Sequence, residues 1–122
     1  MSKEQSHELA RAIVEWGLSK KAEDVVLLDV SELSDVTDYF VLLSGGSQLQ
    51  VQTIANAILD GAQTRGEKPL HVEGKDVGSW VLIDFFDVVA HVMQPRARSY
   101  YALERLWGDA PLTRFDESGA SQ

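Results

Sequence analysis

Near the N-terminus hydrophobic residues recur at helical spacing, and further on they gather into short unbroken runs. Leu9, Ala12, Ile13 and Trp16 share one stripe with Glu8, Arg11 and Glu15 off it, which predicts an amphipathic helix over residues 8–18, ended near Gly17. Val25 to Val30 is a mostly apolar run and reads as a strand buried on both faces. The polar stretch Ser31 to Asp38 separates it from a second strand, Tyr39-Phe40-Val41-Leu42-Leu43. Ser44-Gly45-Gly46-Ser47 breaks the extended pattern, after which Val51, Ile54, Ala55, Ile58 and Ala62 mark one face of a long helix. Ser47 with Gln50 three residues later fits a capping box, Gly66 supplies a C-terminal stop, and Pro69 follows just beyond it.

Leu70 to Glu73 reads as a brief strand and Gly74 to Gly78 as a turn. Trp80 to Phe85 and Asp87 to Met93 form two more strands. Pro95 opens a last helix, roughly Arg96 to Trp107, with Tyr100, Leu103, Leu106 and Trp107 inward. The polar tail from Thr113 to Gln122 is expected to fray, leaving one domain over residues 1–112. The last three strands follow one another too closely for helical crossovers. The expectation is therefore an α/β domain with a mixed five-stranded sheet packed by three helices.

Period-two alternation is sharpest over residues 80–93. With Phe85 and Phe86 at the turn, Asp84 would face Asp87, Leu82 would face Val89, and Trp80 would face His91, all six pointing to one side of the sheet. The opposite side receives Val81, Ile83, Val88, Ala90 and Val92, and must be core. A solvated face seldom carries Trp, Leu and Val together, and a buried one seldom carries two aspartates. Two readings fit: a binding surface rimmed by polar groups, or a face where a helix covers Trp80 and Leu82 while the aspartates touch water at the sheet end. A one-residue slip in pairing would invert the assignment.

Composition narrows the function. A chain of 122 residues with 44% hydrophobic positions suits one domain with a real core. Its 11 Lys+Arg against 19 Asp+Glu leave a net charge of −8, which disfavours direct binding to DNA or RNA phosphates and favours a basic partner. No cysteine is present, so disulfides, thiolate zinc sites and cysteine nucleophiles are excluded. The N-terminus is polar, without the apolar core of a secretory signal, and no window approaches the roughly 18 apolar residues of a membrane helix. A soluble cytoplasmic protein is expected.

Candidate chemistry fails at each step. Ser44-Gly45-Gly46-Ser47 sits between strand and helix like a phosphate cradle, but no Gly-Lys-Ser/Thr follows. A nucleotidyltransferase would place two carboxylates at i and i+2 on a strand about a dozen residues later to hold magnesium. Asp60 is at that distance, but on a predicted helix and flanked at ±2 by Ile58 and Ala62. Of His7, His71 and His91, only His91 has carboxylates nearby on its face, Asp84 and Asp87, and no serine completes a triad. A metal held by these three, or an Asp84–Asp87 acid/base pair, lacks any enclosing site. Arg96, Arg98, Arg105 and Arg114 read as intramolecular partners for acids. No enzyme, cofactor or metal is expected.

The segments Thr37-Asp38-Tyr39-Phe40-Val41-Leu42-Leu43-Ser44-Gly45, Val72-Glu73-Gly74, Trp80-Val81-Leu82-Ile83-Asp84-Phe85, Asp87-Val88-Val89-Ala90-His91-Val92 and Tyr101-Ala102-Leu103-Glu104-Arg105-Leu106-Trp107 occur in an order and spacing that resemble the ribosomal silencing factor (RsfS, Iojap-like) family, from about Leu9 to Trp107. The resemblance implies a nucleotidyltransferase-like α/β domain without the catalytic carboxylates. It further implies binding to the large ribosomal subunit through its protein number fourteen, which blocks joining of the small subunit and reduces translation when nutrients are scarce. On this chain the implied partner-binding segments fall on Trp80, Leu82, Asp84, Asp87, Val89 and His91, and tip the choice toward a binding surface. An edge strand or the tryptophan face also leaves room for a homodimer.

Two departures stand out. Phe86 occupies a position where the family commonly has glycine, which predicts a wider turn because phenylalanine disfavours positive φ. Gly46 replaces a small polar residue and loosens its loop.

Overall fold

In a computed structural model, which describes residues 2–121, the chain runs α1 (Lys3–Ser19), β1 (Glu23–Asp29), β2 (Tyr39–Ser44), α2 (Gln48–Thr64), β3 (His71–Glu73), β4 (Trp80–Asp84), β5 (Val88–Met93), α3 (Pro95–Tyr101), α4 (Leu103–Leu106) and β6 (Leu112–Phe115). Helix α1 begins at Lys3, five residues before the start predicted from the apolar stripe. The reason is a reciprocal cap: Gln5 N–H donates to Ser2 Oγ at 3.1 Å, and Ser2 N–H donates to Gln5 Oε1 at 2.9 Å. At α2 only half of the expected box forms. Gln50 N–H donates to Ser47 Oγ at 3.1 Å, while the Gln50 amide reaches across to the Lys20 carbonyl.

The sheet is mixed, in the order β3-β4-β5-β2-β1-β6, with β2 and β5 parallel and every other neighbouring pair antiparallel. Helices α1 and α2 cover one face, burying Val25, Leu27, Val41, Leu43, Val81, Ile83, Val88, Ala90 and Val92. The two helices approach closely at Gly61, where a Cβ would lie 2.3 Å from the Trp16 ring. On the other face Val26, Leu28, Leu42 and Met93 form a second cluster beneath Ala97, Leu103, Trp107 and Ala110. Burial on both faces accounts for the apolar run Val25 to Leu28 in β1 and for a β5 that is apolar except at the buried His91.

Four expectations need correction. The sheet has six strands, because the tail expected to fray from Thr113 forms β6 against β1, with Leu28 opposite Leu112 and Val25 opposite Phe115. Without β6 the outer edge of β1 would present unpaired backbone groups. Phe115 buries its ring in the first core with the Arg11 guanidinium 5.0 Å above it. Asp116 Oδ1 then accepts from Ser118 and from the Ala120 N–H, folding the tail back.

The last helix is two helices. Ala102 lies in the left-handed region at φ +47°, so Leu103 and Trp107 turn onto the second cluster while Tyr100 and Leu106 remain exposed. The hairpin pairing is the third correction: Trp80 is opposite Met93, Leu82 opposite His91, and Asp84 opposite Val89. A shift of two residues from the expected pairing preserves which face each strand residue occupies.

The turn is tight rather than wide. Phe85 N–H donates to the Val88 carbonyl at 2.8 Å and Asp87 N–H to the Phe85 carbonyl at 3.1 Å, which puts Phe86 at φ +79°. Phe86→Gly is expected to raise stability by up to about 1.5 kcal/mol, since it relieves about 1–2 kcal/mol of left-handed strain against about 0.5–1 kcal/mol of added chain entropy. Phe86 is exposed, so little burial is lost. A lowered urea midpoint would show that the phenyl ring contributes more than its backbone conformation costs.

Candidate docking face

The sheet face that carries α3 and α4 is open at one side. Cross-strand neighbours there run His71–Asp84–Val89–Phe40–Leu28 in one row and Glu73–Leu82–His91–Leu42–Val26 in the next. The helical cover lies over the β1, β2 and β5 end of these rows. The β3 and β4 end retains a strip of half-buried Trp80, Leu82 and Asp84 beside exposed His71 and Glu73. No Lys or Arg occurs in β3 or β4, so the strip is acidic, with His71 Nε2 2.7 Å from Glu73 Oε1.

Trp80 is held at the seam between cover and strip. Its indole Nε1–H donates to His91 Nδ1 at 3.0 Å, and the Tyr101 ring lies 4.3 Å away at 49°. His91 in turn packs edge-on against Phe40 at 5.3 Å, and Phe40 against Trp107 at 5.5 Å. Burial pushes the His91 imidazole down to about 4, with the Asp84 charge opposing, so the ring is neutral at pH 7. Accepting at Nδ1 leaves its proton on Nε2.

The six residues singled out from the sequence therefore separate by depth. Trp80, Leu82 and Asp84 reach the surface, while Val89 and His91 are buried beneath them. Asp87 leaves the ladder altogether. Its carbonyl accepts from Asp38 N–H at 2.9 Å and Tyr39 N–H at 3.1 Å, tying the hairpin turn to the start of β2. Asp84 accepts from the Phe86 N–H at 2.7 Å, so one carboxylate oxygen stabilises the turn. The two aspartates do not face each other, which removes the geometry of an acid/base pair. Among the described residues no three His, Asp or Glu side chains converge to hold a metal ion.

The glycine loop has structural duties. Gly45 N–H donates to the Met93 carbonyl at 3.1 Å, a Cβ on Gly45 would meet the Val51 backbone nitrogen at 2.9 Å, and Ser44 Oγ accepts from Arg98 Nη1 at 2.9 Å. Among the late arginines, Arg98 forms the ion pair expected of the group, Nε donating to Glu104 Oε1 at 2.9 Å. Sequence reading missed Phe40 and Tyr101. The parity of Phe40 with Leu42 was visible, but its contact with His91 follows from the parallel β2–β5 pairing, which has no local signal. Among the described residues no helix is long and apolar enough to cross a membrane.

Residues 3–122 match a family model described as ribosomal silencing factor during starvation, RsfS. A ribosomal silencing factor RsfS of Bacillus subtilis is 50% identical over 97 residues, covering 80% of this chain and 82% of the relative. A mouse protein named mitochondrial assembly of ribosomal large subunit protein 1 is 32% identical over 101 residues, covering 80% of this chain and 43% of that one. A crystal structure of a Chromobacterium violaceum protein superposes with a TM-score of 0.79 at 35% identity, covering 88% of each chain.

Proposed function

The chain belongs to the RsfS family of ribosomal silencing factors, and from that membership we propose that it silences translation by docking on the large ribosomal subunit in the cytoplasm. The partner is the subunit's protein fourteen, and the docked domain blocks joining of the small subunit by occupying the joining face. Such occlusion needs no bond-making, only a surface of the right shape and charge. The observation that carries the reading is the acidic strip left open by α3 and α4, with a half-buried tryptophan at the edge where it meets the helical cover. A net charge of −8 suits a basic ribosomal protein and favours fast, salt-sensitive association.

Trp80→Ala is expected to weaken pelleting with isolated large subunits by about tenfold or more, since a central interface tryptophan commonly contributes about 2 kcal/mol or more. The indole also packs on Tyr101 and donates to His91, so melting curves accompany the binding curves. Pelleting equal to wild type from a folded Trp80→Ala protein would move the docking site elsewhere. An association rate indifferent to added salt would remove charge steering from the mechanism. The mouse relative's name favours a second reading, assistance in large-subunit assembly, and a subunit-joining assay with purified ribosomes separates the two.

A further inference from the structure

We propose that Tyr100 and Tyr101 extend the docking strip beyond Trp80 and contact the same basic ribosomal surface, an inference that rests on the Trp80 docking reading. Tyr101 is 50% exposed with its ring 4.3 Å from the Trp80 indole, and Tyr100 is 82% exposed with its ring 5.1 Å from Tyr101. Three aromatic rings thus run in unbroken contact from the half-buried seam into solvent. Tyrosine offers a large apolar area with a polar tip at small entropic cost, which is why it is enriched in interface cores.

The backbone is bent to place them there. Pro95 to Trp107 contains no glycine and no proline after its first residue, so local preference favours one continuous helix. The chain instead puts Ala102 at φ +47°, a conformation alanine disfavours, and Ala102 N–H donates to the Arg98 carbonyl at 2.9 Å as α3 ends. The Arg98–Glu104 ion pair spans this elbow. On a continuous helix residues six apart lie about 240° around and about 9 Å along the axis, out of reach of each other. The pair therefore forms only with the elbow, and holds Tyr101 against Trp80. The partner is a basic protein because the aromatic run is continuous with Asp84 and Glu73 on strands that carry no Lys or Arg.

The test measures the affinity of labelled protein for isolated large subunits, with a melting curve for each variant. Tyr101→Ala is expected to weaken binding by about tenfold and Tyr100→Ala by about threefold or more. Tyr100→Ala should melt as wild type because its ring is exposed, so it keeps the test sound even where Tyr101→Ala loosens α3. Leu49→Ala, at an exposed leucine on α2 and hence in the layer on the other sheet face, should bind as wild type. If both tyrosine variants bind within about twofold of wild type while Trp80→Ala weakens, the strip ends at Trp80 and the extension is wrong. If Trp80→Ala also binds as wild type, the docking reading itself has failed.

Discussion

Arg98→Ala is expected to lower folding stability by about 3 kcal/mol, seen as a reduced urea midpoint with an unchanged slope. Arg98 is only 8% exposed, and its guanidinium joins three separate parts of the chain. Nε donates to Glu104 Oε1 at 2.9 Å, and Nη1 donates to Ser44 Oγ at 2.9 Å and to the Asp24 carbonyl. Asp24 lies where the β1–β2 register shifts, at φ +49°, so its carbonyl is directed to the arginine. Truncation removes all three bonds and strips packing from α3. Glu104 loses the partner that holds its carboxyl below the usual carboxylate range.

Breaking a buried pair commonly costs about 3–5 kcal/mol, and the lower end applies because the Glu104 side chain is partly solvated and can rehydrate. Arg98→Lys should recover less than half of the loss, because an ammonium on a flexible stem cannot span three acceptors in the fixed fork of a guanidinium. A loss under about 1 kcal/mol for Arg98→Ala would mean that α3 is held by its apolar contacts alone.

Acid should destabilise the protein well before its carboxylates titrate. His91 has an ordinary value of 6.5 and a folded value of about 4, so the unfolded chain binds the extra proton throughout that interval. Folding stability is then full above pH 6.5 and falls by about 1.4 kcal/mol per pH unit as pH drops toward 4, a total of about 3 kcal/mol. Protonation at Nδ1 also removes the acceptor for the Trp80 indole. Two carboxylates are held low in the folded state: Glu104 through its hydrogen bond to Arg98, and Asp29, where burial pulls upward but the bonds to Ser31 and the nearby Lys3 together outweigh it.

The stabilisation these acids supply is lost only below their ordinary values of 4.5 and 3.8, so the window from pH 6.5 to 4.5 isolates the histidine. His91→Gln removes the titration while retaining an acceptor, and should start less stable at pH 7 yet stay nearly flat through that window. An equal slope in wild type and variant would place the acid sensitivity on another group.

The hydrophobic pattern was legible wherever a period repeats over several turns or strand residues. The stripe of Val51, Ile54, Ala55, Ile58 and Ala62 is the buried face of α2, and the alternation over Trp80–Asp84 puts Val81 and Ile83 in the core and Trp80, Leu82 and Asp84 on the other face. That facing held even though the pairing differed by two residues, because period two is insensitive to an even shift. Family membership was legible too, through short segments in a fixed order.

Sequence alone thus determined α1, α2 and β1 to β5, the side of the sheet on which each β4 residue lies, and the acidity of the strip. It did so because these follow from local periodicity and composition. Tertiary structure alone decided that Leu112–Phe115 is a strand, since four residues are too few for a period to show until β1 offers them a ladder. Tertiary structure also decided that the last helix bends at Ala102, against local preference, because the bend brings Glu104 to Arg98 and seats Leu103 and Trp107 on the second cluster. And it sorted the candidate face by depth, leaving Trp80 half-buried and His91 buried beneath it, because depth is set by how far α3 and α4 extend across the sheet, which no local pattern encodes.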